Sequence, residues 1–198
     1  MKLKKFNFKK INSTNDTAIR IIKNTNSKFG VVIAKDQKKG KGKYGKRWTS
    51  YNGNLFVSIF FSLNKIKLSL NQLTKVNCLL VKKLLMQFYK GNITIKHPND
   101  LLINKKKISG ILQEKVSKSN ENFIIVGIGV NLIKSPKIAK YPTTNIMDLT
   151  NVKISSNNAT LKLIKIYEKF IPILPKINIK NMSKIWMIIA GDIGNTET

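Results

Sequence analysis

The 198-residue chain has one cysteine and one histidine, and only nine acidic residues against 37 lysines and arginines. With Cys78 alone, an intrachain disulfide is impossible, and the count fits a reducing cytoplasm. No apolar run approaches the roughly 20 residues of a membrane span. Phe123–Val130 is among the longest, and Gly127 and Gly129 interrupt it. Met1-Lys-Leu-Lys-Lys5 carries the charge of a signal-peptide start, but Phe6-Asn-Phe-Lys-Lys10 follows without a hydrophobic region, which argues against export. Internal repeats are absent, and no linker precedes about Lys176.

Arginine is nearly missing as well. Arg20 and Arg47 are the two present, so lysine supplies almost all of a net charge of +28. Clustered cations bind nucleic acid by releasing counterions, but reading base edges leans on the arginine fork. The lysine excess, alongside abundant Asn and Ile, reads as drift towards AT-rich codons that spreads charge over every surface. Specific DNA binding is therefore not expected, and a basic nucleic-acid-binding protein stands as the alternative from a different class.

What is present suffices for one buried domain. The 42% hydrophobic content fits a globular protein. Ser13 or Thr14 can cap a short helix running to about Asn24, with Asp16 in its first turn. Gly30–Ala34 reads as a buried strand, and Leu55–Phe61, apolar on both faces, as a central one. Leu70, Leu73, Val76, Leu80, Leu84 and Phe88 recur at helical spacing and predict a long helix over 69–89, with Cys78 in its apolar pattern as a packing residue. Short strands follow at 93–95, 101–103, 107–113 and 123–132, with a hairpin at 104–106, and a helix over 159–170 stops at Pro172. The fold class is α+β: a mixed, largely antiparallel sheet with helices packed on one face.

Two stretches carry chemistry. Gln37-Lys-Lys-Gly-Lys-Gly-Lys-Tyr-Gly-Lys-Arg-Trp48 holds three glycines and six cations, and leads into an apolar strand. Glycines let such a loop curl around a ligand and aim N–H groups at it, while lysines attract a phosphate or carboxylate. Mutual repulsion among those lysines predicts a segment, Lys38–Lys46, that orders only around an anion. Lys96-His-Pro-Asn-Asp100 contains one of the few acids, and Lys107-Ile-Ser-Gly110 follows closely. Together they suggest chemistry between an anionic small molecule and a nucleotide. Gly40-x4-Gly45-Lys46 begins like a P-loop, but Arg47 stands where Ser or Thr must hold magnesium, and a strand follows instead of a helix. Gly127-x-Gly129 lacks the third glycine and the helix of a dinucleotide fold.

Gly40-Lys-Gly-Lys-Tyr-Gly-Lys-Arg-Trp48 resembles the Gly-Arg-Gly-Arg-x-Gly-Arg-x-Trp signature of biotin–protein ligases, with Lys41, Lys43 and Lys46 replacing arginines. Lys96-His-Pro-Asn-Asp100 is similar to that family's Lys-Trp-Pro-Asn-Asp, His97 reading as a packing substitution for Trp. Lys107-Ile-Ser-Gly-Ile-Leu112, Ser13-Thr-Asn15 and Gly127-Ile-Gly-Val-Asn131 match three further motifs in the family's order, so the resemblance runs from about Asn12 to Leu132.

The resemblance implies a biotin/lipoyl ligase fold, related to class II aminoacyl-tRNA synthetases, over residues 1–175. Residues 176–198 would form a tail, a possible remnant of the family's small C-terminal domain, and an N-terminal helix-turn-helix is not expected. It also implies an ATP-dependent ligase that forms biotinyl-5′-AMP and transfers biotin to a lysine of a biotin carboxyl carrier domain, such as that of acetyl-CoA carboxylase. The substrates and ions implied are ATP, biotin and Mg²⁺, with metal ligands left open; the protein would be cytoplasmic and a monomer or weak homodimer. By motif match, Ser13, Thr14, Asn15, Gln37, Lys41, Gly42, Lys43, Lys107 and Gly110 would bind biotin. Gly40, Lys43, Lys46, Asn99, Asp100 and Asn131 would bind ATP, with Lys107 and Asp100 catalytic. A lipoate or octanoate ligase of the same fold is the nearer alternative, and a cysteine-dependent octanoyl transferase is disfavoured because Cys78 reads as core.

Overall fold

The computed structural model describes residues 1–139, 141–177 and 189. The expectations for the tail therefore lie largely outside the described residues. Seven strands form one sheet: β1 (Lys4–Ile11), β2 (Phe29–Gln37), β3 (Leu55–Ser62), β4 (Ile93–Lys96), β5 (Asp100–Ile103), β6 (Lys106–Lys118) and β7 (Glu121–Val130). Their order across the sheet is β1-β2-β3-β7-β6-β5-β4. Only the β1–β2 pair is parallel. The helices are α1 (Thr14–Asn24), α2 (Leu70–Met86), α3 (Ile146–Thr150) and α4 (Ser156–Phe170). Among the described residues no helix is long and apolar enough to cross a membrane.

The α+β class and the largely antiparallel sheet stand as expected. The helices, however, occupy both faces rather than one. Leu55, Val57, Ile59 and Phe61 of β3 turn to one side, where they pack with Leu73, Leu80 and Leu84 of α2 and Leu163 and Tyr167 of α4. Phe60 turns to the other side and packs with Ala18 and Ile22 of α1. Period-2 alternation in a strand apolar everywhere but Ser58 and Ser62 provides a hydrophobic face on each side, and each needs a cover. Every residue of β3 is buried.

Local signals place the helix starts. The Ser13 side chain accepts from Asp16 N at the start of α1. Ser69 and Gln72 form a reciprocal capping box on α2, and Ser155 caps α4. Two elements escape the pattern. In β1, Phe6 and Phe8 are the only aromatics among lysines, and the strand gains its hydrogen bonds from β2, far away in sequence. Its lysines suit an edge strand, where charge discourages pairing with another chain. Strand β6 also runs to Lys118, past the expected end at Gln113, because β7 pairs with it along its whole length.

Candidate active site

The site is built on the α1 face of the central strands, where the sheet has been stripped of side chains. Gly110 of β6 pairs with Gly129 of β7, and Leu112 with Gly127. A Cβ at Gly129 would lie 2.4 Å from Trp48 Cε2, one at Gly110 would lie 2.8 Å from Trp48 Cζ3, and one at Gly127 would lie 2.3 Å from Asn15 Oδ1. The glycines thus let Trp48 and Asn15 rest directly on the strand backbones. This close approach, rather than any special backbone angle, is what the Gly-Ile-Gly spacing provides.

One wall is the start of α1. Asn15 is buried, and its amide is spoken for: it donates to Leu112 O at 3.3 Å and Glu114 Oε2 at 2.5 Å, and accepts from Ser58 Oγ at 2.5 Å. Thr14 donates through both N and Oγ1 to Gln37 Oε1, at 2.8 and 3.1 Å, and Gln37 Nε2 donates to Ser50. These bonds fix Thr14 and Gln37 at the cavity edge, beside Ser13.

A second wall is the glycine-lysine loop. Its backbone closes on itself: Gly42 N donates to Lys46 O at 2.7 Å, Lys46 N to Lys43 O, and Trp48 N to Gly40 O. The reversal is made by Tyr44 at φ 55° and Gly45 at φ 70°, left-handed values that a glycine adopts without cost. The loop then runs into β3, so the P-loop exclusion stands. Lys41 pairs with Asp16 in the first turn of α1, and that hydrogen bond holds its ammonium above the usual lysine range.

Lys107 closes the far end. Its Nζ lies 2.8 Å from Asp100 Oδ1, an ion pair outside hydrogen-bonding alignment. The same ammonium stands 5.4 Å from the Trp48 ring centre and 5.6 Å from that of Tyr141, within cation–π range. Its backbone is held on both sides: Lys107 N donates to Pro142 O at 2.9 Å and Thr144 N to Lys107 O at 3.0 Å. Ile111 N donates to Asn99 O at 2.9 Å and Asn99 Nδ2 donates to Ile111 O at 2.8 Å, which fixes the turn that presents Asp100.

These walls enclose a cavity of about 340 Å³, within the size range of small-molecule sites. Every residue expected at the site lines it except Gly40 and Asn131. Gly40 sits behind the loop, where a Cβ would lie 2.6 Å from Trp48 O. Asn131 is buried next to the cavity, in a recess it shares with Trp48, Lys107 and Tyr141. Its Nδ2 donates to Thr144 O at 3.1 Å, and its Oδ1 has no hydrogen-bond partner. Sequence reasoning did not assign Trp48, Tyr141, Lys96 or Lys105 to the site, and all four line it. His97 is exposed in its turn, so it does not fill the packing role expected of it. Cys78 lies buried in α2, and burial pushes its thiol up to about 12, far from a nucleophile's range.

Residues 7–131 match the family model described as the biotin/lipoate A/B protein ligase family. Among curated relatives, the biotin–[acetyl-CoA-carboxylase] ligase of Paracoccus denitrificans is 32% identical over 127 residues, covering 63% of this chain and 52% of the relative. The bifunctional ligase/repressor BirA of Escherichia coli K12 is 30% identical over 102 residues, covering 50% of this chain and 32% of the relative. The chain thus spans between about a third and a half of these relatives' length. Among solved structures, the biotin protein ligase from Aquifex aeolicus in complex with biotin and ATP superposes with a TM-score of 0.77 at 26% identity, covering 92% of this chain and 76% of that one. With its family model matched over more than half of its length, the chain belongs to the biotin/lipoate A/B protein ligase family.

Proposed function

We propose that this chain is a biotin–protein ligase domain, cytoplasmic, that makes biotinyl-5′-AMP from biotin and ATP and passes biotin to a lysine of a biotin carboxyl carrier domain. The observation that carries the reading is the Lys107–Asp100 pair, flanked by Trp48 and Tyr141, in a cavity that Ser13, Thr14 and Gln37 also line. A polar edge suits a neutral ring such as biotin's ureido group, and a fixed cation suits the junction of carboxylate and phosphate.

In the first step a biotin carboxylate oxygen bonds to the α-phosphorus, and the α–β P–O bond breaks with its electron pair leaving on pyrophosphate. In the second, an acceptor lysine amine attacks the acyl carbon and AMP leaves. Two anions must meet in the first step, so the need is for fixed positive charge that does not reorganise. Lys107 supplies it, and Lys41 and Lys43 supply it from the loop. Asn131 Oδ1, a buried acceptor lacking a donor, suits an exocyclic amine such as adenine's, because an unmet buried acceptor is costly. Among the described residues no three carboxylate, histidine or cysteine side chains come together. Asp100 is the carboxylate lining the cavity. Magnesium fits here only as an ion carried largely by the triphosphate, which is how it usually binds.

The test is pyrophosphate release by the purified protein with ATP and Mg²⁺, in the presence of biotin, lipoate or octanoate. Release with biotin alone supports the reading. Release with lipoate or octanoate and none with biotin moves the protein to the other branch of the family. Release with none of the three removes the ligase assignment.

A further inference from the structure

The turn between β5 and β6 is Asn104-Lys105, and both residues adopt left-handed angles, φ 50° at Asn104 and 61° at Lys105. Two-residue hairpin turns of this kind favour glycine at the second place, and a lysine there is strained. Asparagine tolerates such angles; lysine has no local reason to take them. Yet Lys105 lines the cavity, and its neighbour Lys106, on an ordinary strand backbone, does not. The turn therefore spends backbone comfort on bringing an ammonium to the cavity.

Its electrostatic surroundings indicate what that ammonium is for. The cavity also receives Lys41, Lys43, Lys46, Arg47, Lys96 and Lys107, against a single carboxylate, Asp100, among the described residues. Lys107 is held by Asp100 and Lys41 by Asp16. Among the described residues the Lys105 side chain has neither an ion-pair nor a hydrogen-bond partner. A cavity this rich in cations suits a ligand with several negative charges rather than one. Lys105 comes from the β5–β6 turn and Lys41, Lys43 and Lys46 from the loop before β3, so an anion in the cavity is offered cations by two separate elements.

We propose that Lys105 is a further phosphate-binding residue, which contacts the polyphosphate end of the nucleotide and the pyrophosphate that leaves it. This rests on the ligase reading for the nucleotide's identity, but not for the anion contact itself. Lys105 is a specificity residue for the polyphosphate; it does not act on the reacting carboxylate.

The experiment compares wild type with Lys105→Gly, Lys105→Arg and Lys106→Gly. Tripolyphosphate and pyrophosphate binding is measured by calorimetry without biotin, ATP and biotin KM by pyrophosphate release, and Tm by scanning calorimetry. Lys105→Gly is expected to raise Tm by relieving the left-handed strain, to weaken tripolyphosphate binding and raise the ATP KM five- to tenfold, and to leave the biotin KM unchanged. Lys105→Arg is expected to stay within twofold of wild type for polyphosphate, and Lys106→Gly likewise. A merely structural Lys105 would give a better or equal enzyme as glycine. Unchanged tripolyphosphate binding by Lys105→Gly, or an equal loss by Lys106→Gly, overturns the assignment. A wild type that binds tripolyphosphate through Lys105 but shows no biotin-dependent turnover removes the ligase reading and keeps this one.

Discussion

A methyl group on Gly127 would place its carbon 2.3 Å from Asn15 Oδ1, so the sheet and the first turn of α1 are separated by a single missing side chain. Asn15 cannot step aside cheaply, because Ser58, Leu112 and Glu114 hold its amide from three directions. The polar edge of the cavity, Ser13 and Thr14, sits on the same turn.

Gly127→Ala should therefore act on binding and stability together. The added methyl must push Asn15 and the start of α1 away from the sheet, breaking part of that network. Overpacking of this kind costs about 1–3 kcal/mol. Expected outcomes are a Tm lower by several degrees and a biotin KM raised at least tenfold, with a smaller change in ATP KM. A stable variant with wild-type biotin KM would show that Asn15 does not set the cavity edge.

Lys107→Ala should abolish adenylate formation while the fold persists. The Lys107 backbone bonds to Pro142 and Thr144 do not involve its side chain, so the strand start keeps its register. The lost cation is worth several kcal/mol if it faces the phosphoryl charge, on the order of 10²–10³ in rate. Far-ultraviolet dichroism reports the fold and biotin-dependent pyrophosphate release the chemistry. A loss smaller than about tenfold would make Lys107 a bystander whose pairing with Asp100 is structural.

Much of this was legible in the chain because local chemistry and global fold agree. β3 reads as central from apolar residues on both its faces, α2 from its spacing, and the cavity from motifs far apart in sequence that meet at one face. What was hidden depends on partners. β1 is a strand because β2 lies alongside it, not because Phe6 and Phe8 are strongly patterned. Helices on both faces follow from β3 having two apolar sides, a consequence available in the sequence but not drawn from it. Tyr141 reaches Lys107 through the connection after β7, which carries no local signal. Lys105 and Lys106 are indistinguishable in sequence; the left-handed turn brings one to the cavity and not the other.

The last prediction concerns Cys78, whose burial raises its thiol from 9.0 to about 12. The thiol stays protonated in the folded protein where it would already have ionised in the unfolded chain. Between about pH 9 and 12 the unfolded state therefore binds fewer protons, and this group's contribution to stability falls as pH rises. The slope is on the order of 1.4 kcal/mol per pH unit across that window, and vanishes below it. Lysines and tyrosines titrate there too, so the informative quantity is the difference between wild type and Cys78→Ala. Alanine leaves a cavity and lowers stability at pH 7, but the gap should narrow from pH 9 upwards as wild type loses the thiol term. Urea denaturation of both proteins from pH 7 to 10.5 measures it. The buried thiol should also resist iodoacetamide at pH 8.5 until urea unfolds the chain. Rapid alkylation of the native protein, or a gap constant with pH, would mean that Cys78 reaches solvent and that a thiol-dependent transferase must be considered again.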